Sequence, residues 1–210
     1  VAMKAFNQLV YQAHPYRWPV QGTEETLNKI SLSDIQSFYA KEYLPNQVIL
    51  TIVGDVTVEQ ATSLVQVHFG PWKKGLTPPR PVRKTPSVEK NTVEFIEKDV
   101  TQSTIVLGHS GITRTNPDFY AVTVMNHVLG AGGFSSRLMD SIRDKQGLAY
   151  GITSHYDARA MPGSFWISLQ TSTETTNQAI SSVLAAMKAI REAPVTDQEL
   201  AEAKSFLMGS

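Results

Sequence analysis

The stretch LAYGITSHYDARAMPGSFWISLQTS, residues 148–172, decides the fold class. It predicts two strands, LAYGITSHYD (148–157) and GSFWISLQTS (163–172), joined by the turn ARAMP. Strands joined by so short a turn pair antiparallel, because parallel strands need a long crossover connection. Helical patterns lie on both sides of this hairpin. The sequence therefore predicts an α+β fold with a largely antiparallel sheet and helices packed on it, in preference to a doubly wound parallel sheet.

Three further apolar or β-branched runs predict strands, at 47–54, 91–98 and 102–110. Helical spacing predicts a first helix over 1–13 and a long amphipathic helix that buries Ala179, Val183, Ala186, Met187 and Ile190. Capping pairs predict helix starts at Ser33 with Gln36, Thr57 with Gln60, and Thr196 with Glu199. Asn116 followed by Pro117 predicts another start, and RLMDSIRDK (137–145) a short helix.

Composition narrows the functional classes. The 210 residues include 19 basic and 19 acidic side chains, so charge gives no sign of a nucleic-acid or anionic-lipid partner. The absence of cysteine excludes disulfides, thiolate zinc sites and cysteine nucleophiles. No apolar run reaches the roughly 20 residues that a membrane span needs. We therefore expect a folded domain whose partners are chosen by shape and local chemistry.

Proline density marks a linker. Five prolines lie between Gly70 and Ser87, and no helix or central strand tolerates that density. The predicted organisation is a first part at 1–75, a proline-rich linker at 76–90, and a second part at 91–210. Because the chain begins at Val1 and stops at Ser210 within a helical pattern, we interpret it as a piece of a longer protein.

Common catalytic patterns are absent. None of the five histidines shares the close spacing of a zinc-binding helix, so no metal site is predicted within this chain. LGAGGFSS (129–136) follows a helix rather than a strand and lacks the lysine of a phosphate loop, and no serine lies in a G-x-S-x-G turn. Arg143 and Tyr150 stand on either side of Gly147 and could both donate hydrogen bonds to a peptide carbonyl. An exposed arginine and an ordinary strand tyrosine remain the alternative.

SIRDKQGLAYGITS (141–154) resembles the arginine/tyrosine motif of the pitrilysin, insulinase and mitochondrial processing peptidase family of zinc metallopeptidases. NHVLGAGGFSSRLMDSIR (126–143) resembles the segment that precedes this motif. HPYRWPVQGTEETLNKISLSDIQSFYAKEYLPNQVILTIVGDV (14–56) is similar to an earlier stretch of the same family. The resemblance covers nearly the whole chain in the family's order.

The resemblance implies a clamshell half built from two related α+β domains, with zinc held by an H-x-x-E-H helix and a later glutamate that this chain does not contain. By position, Arg143 and Tyr150 match the family's pair that hydrogen-bonds the peptide near the scissile carbonyl. Phe134 and Arg137 are further candidates to line the substrate cleft, with core packing for Phe134 and a surface ion pair for Arg137 as alternatives. Alone, the chain is predicted to be inactive.

Three functional classes follow. The first is the substrate-binding half of a zinc metalloendopeptidase, its zinc supplied by a preceding region of the same polypeptide or by a partner subunit that carries H-x-x-E-H. The second is a non-catalytic structural or presenting subunit, as in the respiratory cytochrome bc complex. The third is a peptide-binding module that uses a sheet edge. A periplasmic or secreted bacterial location is expected from the resemblance alone.

One structural hypothesis concerns the strand predicted at 47–54. We expect it to complete the sheet of the second part as a permuted composite, either within the chain or across a swapped homodimer. An unpaired strand at this position would count against the hypothesis.

Overall fold

The computed structural model describes residues 1–77, 83–86 and 89–209. They divide into two compact units, Val1–Pro19 with Arg83–Ser210, and Val20–Val82. The predicted linker at 76–90 lies partly outside the described residues. The boundaries at 75 and 91 concern family domains rather than compact units, and they stay a prediction.

The helices and strands alternate in groups along the chain. In chain order they are α1 (Ala2–Tyr11), α2 (Glu24–Leu27), α3 (Leu32–Glu42), α4 (Val58–Phe69), β1 (Gln102–Ser110), α5 (Phe119–Asn126), β2 (Ile152–Asp157), β3 (Ser164–Ser172), α6 (Thr176–Glu192) and α7 (Asp197–Gly209). Two π-helical turns, His127–Ala131 and Met139–Asp144, lie between α5 and β2. Short 3-10 turns include Pro15–Arg17 and Gly133–Ser135.

The sheet of the first unit has three strands in the order β1-β3-β2, and both pairings are antiparallel. This confirms the predicted α+β class and the hairpin of residues 148–172. β2 begins at Ile152 rather than Leu148, because Leu148 and Ala149 are buried in the core before the strand pairing starts. β1 and β2 form the two edges of this sheet.

Alternation along β3 directs side chains to opposite faces of the sheet. Phe165, Ile167 and Leu169 belong to the main core, which Ala179 and Val183 of α6 complete. Trp166 lies on the other face and packs against the cluster that α1 contributes. The predicted inward face of α6 is confirmed, since Ala186, Met187 and Ile190 also contact the main core.

Two of the three predicted capping pairs are confirmed. The Thr57 and Thr196 hydroxyls each accept a hydrogen bond from the backbone three residues later, at 3.2 Å. The pair at Ser33 was wrong: Ser31 caps α3, because the Asp34 carboxylate accepts a 2.9 Å bond from the Ser31 amide in return. α5 begins at Phe119 rather than Pro117, after the Asn116 side chain accepts from the Asp118 amide at 2.8 Å.

Two predicted strands are absent from the part of the chain that the structure describes. Residues 47–54 and 91–98 contain no assigned strand, and several of their apolar side chains are almost fully exposed, with Ile49 at 94% and Val93 at 92%. A strand requires pairing with a neighbouring strand, and the sheet of the described residues contains β1, β2 and β3 alone. The composite within a single chain is therefore wrong, and the swapped homodimer stays a prediction.

Among the described residues, no helix combines the length and the apolar character that crossing a membrane requires.

Candidate functional site at the Arg143–Tyr150 corner

The chain reverses direction between the π-helical turn at Met139–Asp144 and β2. Gly147 adopts a left-handed conformation, φ 64°, that glycine reaches without steric cost. The Leu148 amide donates to the Ile142 carbonyl at 2.9 Å, which ties the outgoing chain to the helical turn. Ile142 and Leu148 are both buried. Ile142, next to Arg143, and Leu148, two residues before Tyr150, therefore anchor the corner, while Arg143 is half-buried and Tyr150 is exposed.

Three of the predicted site residues come together at this corner. The guanidinium carbon of Arg143 lies 5.7 Å from the Tyr150 ring centre and 5.0 Å from the Phe134 ring centre. Both distances lie within the range of a cation–π contact. Tyr150 is 91% exposed and Phe134 is 72% exposed, so the alternative of core packing for Phe134 does not hold. We call Phe134, Arg143 and Tyr150 the corner cluster.

The corner cluster is rich in hydrogen-bond donors. Nη1 of Arg143 donates to Oδ1 of its neighbour Asp144 at 3.1 Å, which uses one N–H of the guanidinium. A guanidinium carries five N–H donors, and a phenol can donate one more. The Phe134 and Tyr150 rings contact the arginine side chain, which is 31% exposed. Such a group can bind a carbonyl oxygen, and it binds more strongly as negative charge develops on that oxygen.

Arg137 makes a bidentate ion pair instead of joining these rings. Its Nε and Nη2 donate to the two carboxylate oxygens of Glu199 at 2.6 and 2.7 Å. Hydrogen bonds from Arg137, and then from the Thr196 amide, lower the pKa of Glu199 to about 2. The structure therefore favours the ion-pair alternative for Arg137, and a peptide contact for it stays a prediction.

Sequence reasoning missed the role of Glu199 at this site. The capping pattern predicted that Glu199 contacts Thr196, but it gave no signal for a partner 62 residues away. The Glu199 carboxylate contacts both Arg137 and Thr196, since its Oε2 also accepts from the Thr196 amide at 2.7 Å. The start of α7 is thus fixed to the segment that leads into the Met139–Asp144 turn.

The described residues do not fit a zinc site. Within 1–77, 83–86 and 89–209, no group of three or more histidine, cysteine, aspartate or glutamate residues could hold a metal ion. The histidines have other surroundings: His14 contacts the Arg83 carbonyl at 3.1 Å, and His155 stacks on Trp166. We therefore derive no chemical step of this chain through a metal.

Comparison with known proteins identifies the family. The model of the peptidase M16 inactive domain matches residues 29–207. The chain belongs to the peptidase M16 family. This confirms the family predicted from the arginine/tyrosine motif, and the M16 match includes most of both compact units.

Individual M16 relatives agree with the assignment. An uncharacterized zinc protease of Streptomyces coelicolor is 30% identical over 199 residues, which cover 91% of this chain and 43% of that protein. The non-peptidase homolog YmxG of Helicobacter pylori is 30% identical over 213 residues, 100% of this chain and 48% of that protein. The crystal structure of a peptidase M16 inactive domain from Pseudomonas fluorescens superposes with a TM-score of 0.89 at 30% identity, and covers 100% of this chain and 50% of that one. The chain thus spans about half the length of these relatives.

Proposed function

We propose that this chain is the substrate-binding and transition-state-stabilising half of a zinc-dependent metalloendopeptidase that acts on peptides. The corner cluster carries the proposal. Arg143 and Tyr150 bring a guanidinium and a phenol, both hydrogen-bond donors, together at the surface, with the guanidinium carbon 5.7 Å from the ring centre. In this role they would hydrogen-bond the peptide at the carbonyl that is cleaved.

The two donors would act at the atom on which charge develops during the reaction. When water attacks a carbonyl, the oxygen gains negative charge, and donors already in place stabilise it without reorganisation. The Phe134 ring, 5.0 Å from the Arg143 guanidinium carbon, limits the rotamers of that side chain. The hydrogen bond that Arg143 donates to Asp144, at 3.1 Å, limits the same rotamers. The proposal therefore assigns Phe134 a positioning role and the two donors the substrate contact.

In this proposal, the zinc ligands lie outside the 210 residues of this chain. Relatives carry the name zinc protease, whereas the described residues of this chain offer no ligand group. In the proposal the metal is supplied either by another region of the same polypeptide or by a partner subunit with an H-x-x-E-H helix. When bound there, it would activate water as a Lewis acid. The periplasmic or secreted location stays an expectation.

A second candidate is a non-catalytic structural or presenting subunit. Two observations favour it: the matching family model is described as an inactive domain, and one relative at 30% identity is named a non-peptidase homolog. Such a subunit needs no transition-state donor, although it could still present a peptide. The two candidates therefore differ in whether any assembly that contains this chain cleaves peptides.

A reconstitution assay separates the candidates. The full-length parent protein is incubated with zinc and a quenched fluorescent peptide library, alone and together with a family subunit that carries H-x-x-E-H. Cleavage in either mixture, removed by a chelator and restored by zinc, supports the peptidase half. If no mixture cleaves, while the partner with its own natural companion does, the non-catalytic subunit is the better account.

A further inference from the structure

A second concave site lies in the first unit, and none of the corner cluster lines it. The cavity has a volume of about 550 Å³, within the range of small-ligand sites. One wall comes from α1 with Met3, Asn7 and Tyr11, and the opposite wall comes from β2 and β3. It opens on the face of the sheet opposite the main core.

The Tyr11 hydroxyl is the first sign of a ligand. Tyr11 is only 2% exposed, and its hydroxyl makes no hydrogen bond of good geometry with any residue that the structure describes. Burial raises the pKa of Tyr11, although the nearby Ser164 hydroxyl and Arg159 oppose this effect. A buried donor without an acceptor destabilises the fold, and an acceptor supplied by a ligand would remove that cost.

An arginine provides further donors at the same end of the cavity. Nε and Nη2 of Arg159 both contact one oxygen of Asp157, Oδ2, at 2.6 Å. This leaves Nη1 of Arg159 and Oδ1 of Asp157 outside the ion pair. The Arg159 guanidinium also lies over the Tyr16 ring, 4.8 Å from its centre, which fixes its orientation. Nη1 of Arg159 and the hydroxyls of Tyr11 and Ser164 are donors at this end outside the ion pair, and together they suit an anionic oxygen pair.

The other end of the cavity is aromatic. The His155 and Trp166 rings stack, with centroids 3.9 Å apart and planes inclined by 20°. Burial lowers the pKa of His155, which favours the neutral ring. A neutral stacked pair offers a flat apolar surface on which another planar group can pack.

We propose that this cavity binds a carboxylate that is joined to an aromatic group, with the carboxylate at Tyr11, Ser164 and Arg159 and the ring on His155 and Trp166. This chemistry belongs to a peptide that ends in an aromatic residue and to a free aromatic amino acid. Oδ1 of Asp157 would accept from the nitrogen next to the carboxylate in both cases. The inference is independent of the corner cluster and of the proposed peptidase role.

Calorimetric titration of the 210-residue chain tests the site with three probes: acetyl-Ala-Ala-Phe with a free carboxylate, the same peptide as its C-terminal amide, and free phenylalanine. We expect saturable binding of the free acid and at least tenfold weaker binding of the amide. If free phenylalanine binds as tightly as the peptide acid, the ligand of the site is an aromatic amino acid. If free phenylalanine binds more weakly than the peptide acid, the ligand is a peptide that ends in an aromatic residue. Equal binding of acid and amide, or no saturable binding of any probe, would overturn the proposal.

Substitutions in the cavity test whether the free-acid probe binds there. Arg159→Gln and Tyr11→Phe are expected to weaken binding of the free acid, at least tenfold and several-fold respectively, while Tyr120→Phe, at an exposed side chain of α5 that does not line the cavity, leaves it unchanged. Circular dichroism of each variant confirms that it is folded. Tyr11→Phe removes one oxygen only, so it remains informative if Arg159→Gln does not fold. An unchanged affinity in folded Tyr11→Phe and Arg159→Gln, or a loss in Tyr120→Phe, would contradict this location.

Discussion

The guanidinium carbon of Arg143 lies 5.7 Å from the centre of the Tyr150 ring, although the chain reverses direction between them. The reversal depends on Gly147, whose φ of 64° is in the left-handed region. The two donors project from the two arms of this reversal, so the backbone at Gly147 sets the spacing at which their side chains contact each other. The corner is therefore sensitive to substitutions that alter backbone conformation without adding a clash.

Gly147→Ala should destabilise the protein by about 1–2 kcal/mol, because a side chain disfavours the left-handed conformation. A Cβ at Gly147 would meet no atom within 4 Å, so steric contact adds nothing. The matched control is Gly151→Ala, where a Cβ also meets nothing within 4 Å and φ is not positive. Urea unfolding of both variants measures the difference. Equal stabilities would show that the turn does not constrain the corner.

Glu199→Gln should be less stable than the wild type at pH 7, because it removes the charge that Arg137 pairs with. The folded-state pKa of Glu199 is about 2 against an ordinary value of 4.5. A depressed carboxyl pKa stabilises the folded state above its unfolded value, and this contribution is lost as the pH falls from about 4.5 towards 2. The stability difference between the variant and the wild type should therefore shrink over that interval.

The control for this ion pair is Glu202→Gln on the same helix. Glu202 accepts one hydrogen bond from the side chain of Gln198, at 2.9 Å, and forms no ion pair with another described residue. Its substitution should change stability little at any pH. Urea unfolding at pH 7, 4 and 3 compares the two variants. A Glu199→Gln deficit that is constant over these pH values would contradict the assigned pKa.

Gly130→Ala should destabilise the main core by about 1–3 kcal/mol through overpacking. A Cβ at Gly130 would lie 2.6 Å from Oγ of Ser154 and 2.8 Å from its backbone nitrogen, and the strand cannot move away without breaking its pairing. Thermal unfolding measures the loss, with Gly151→Ala again as the reference. An unchanged midpoint would mean that the close approach of the π-helical turn to β2 is not rigid.

The chain should self-associate as its concentration rises, because extended segments with exposed apolar side chains can pair with other strands. Val93 is 92% exposed and Phe95 is 86% exposed. The double substitution of both residues by lysine should reduce the association seen by light scattering. Tyr120→Lys alters a side chain that is 79% exposed on α5 and should have a smaller effect. Identical scattering of all three proteins would exclude pairing through residues 93–95.

Much of the fold could be predicted because local patterns and packing agree. The hairpin at 148–172 alternates apolar and polar side chains, and α6 carries its buried residues at helical spacing. The runs at 47–54 and 91–98 have equally strong strand character, but pairing is a property of two segments, and a sequence pattern reports only one. The π-helical turn at His127–Ala131 depends on the bond from the Gly132 amide to the His127 carbonyl, which no local pattern predicts.

The site could be predicted in part. The motif located Arg143 and Tyr150, and Phe134 lies against the same guanidinium. The Arg137–Glu199 pair and the cavity at Tyr11 join residues that are far apart in sequence, so neither could be read from spacing. Long-range partners of this kind require the folded chain.

The central claim is tested most directly by the kinetics of Tyr150→Phe and Arg143→Lys in the full-length parent, assembled with zinc as in the reconstitution assay. Phe134 and Asp144 remain in both variants, so the corner keeps its packing. The account predicts that each variant lowers kcat/KM at least tenfold, about 1.4 kcal/mol of transition-state stabilisation, with most of the loss in kcat. Full activity of both variants in an assembly that cleaves peptides would contradict it.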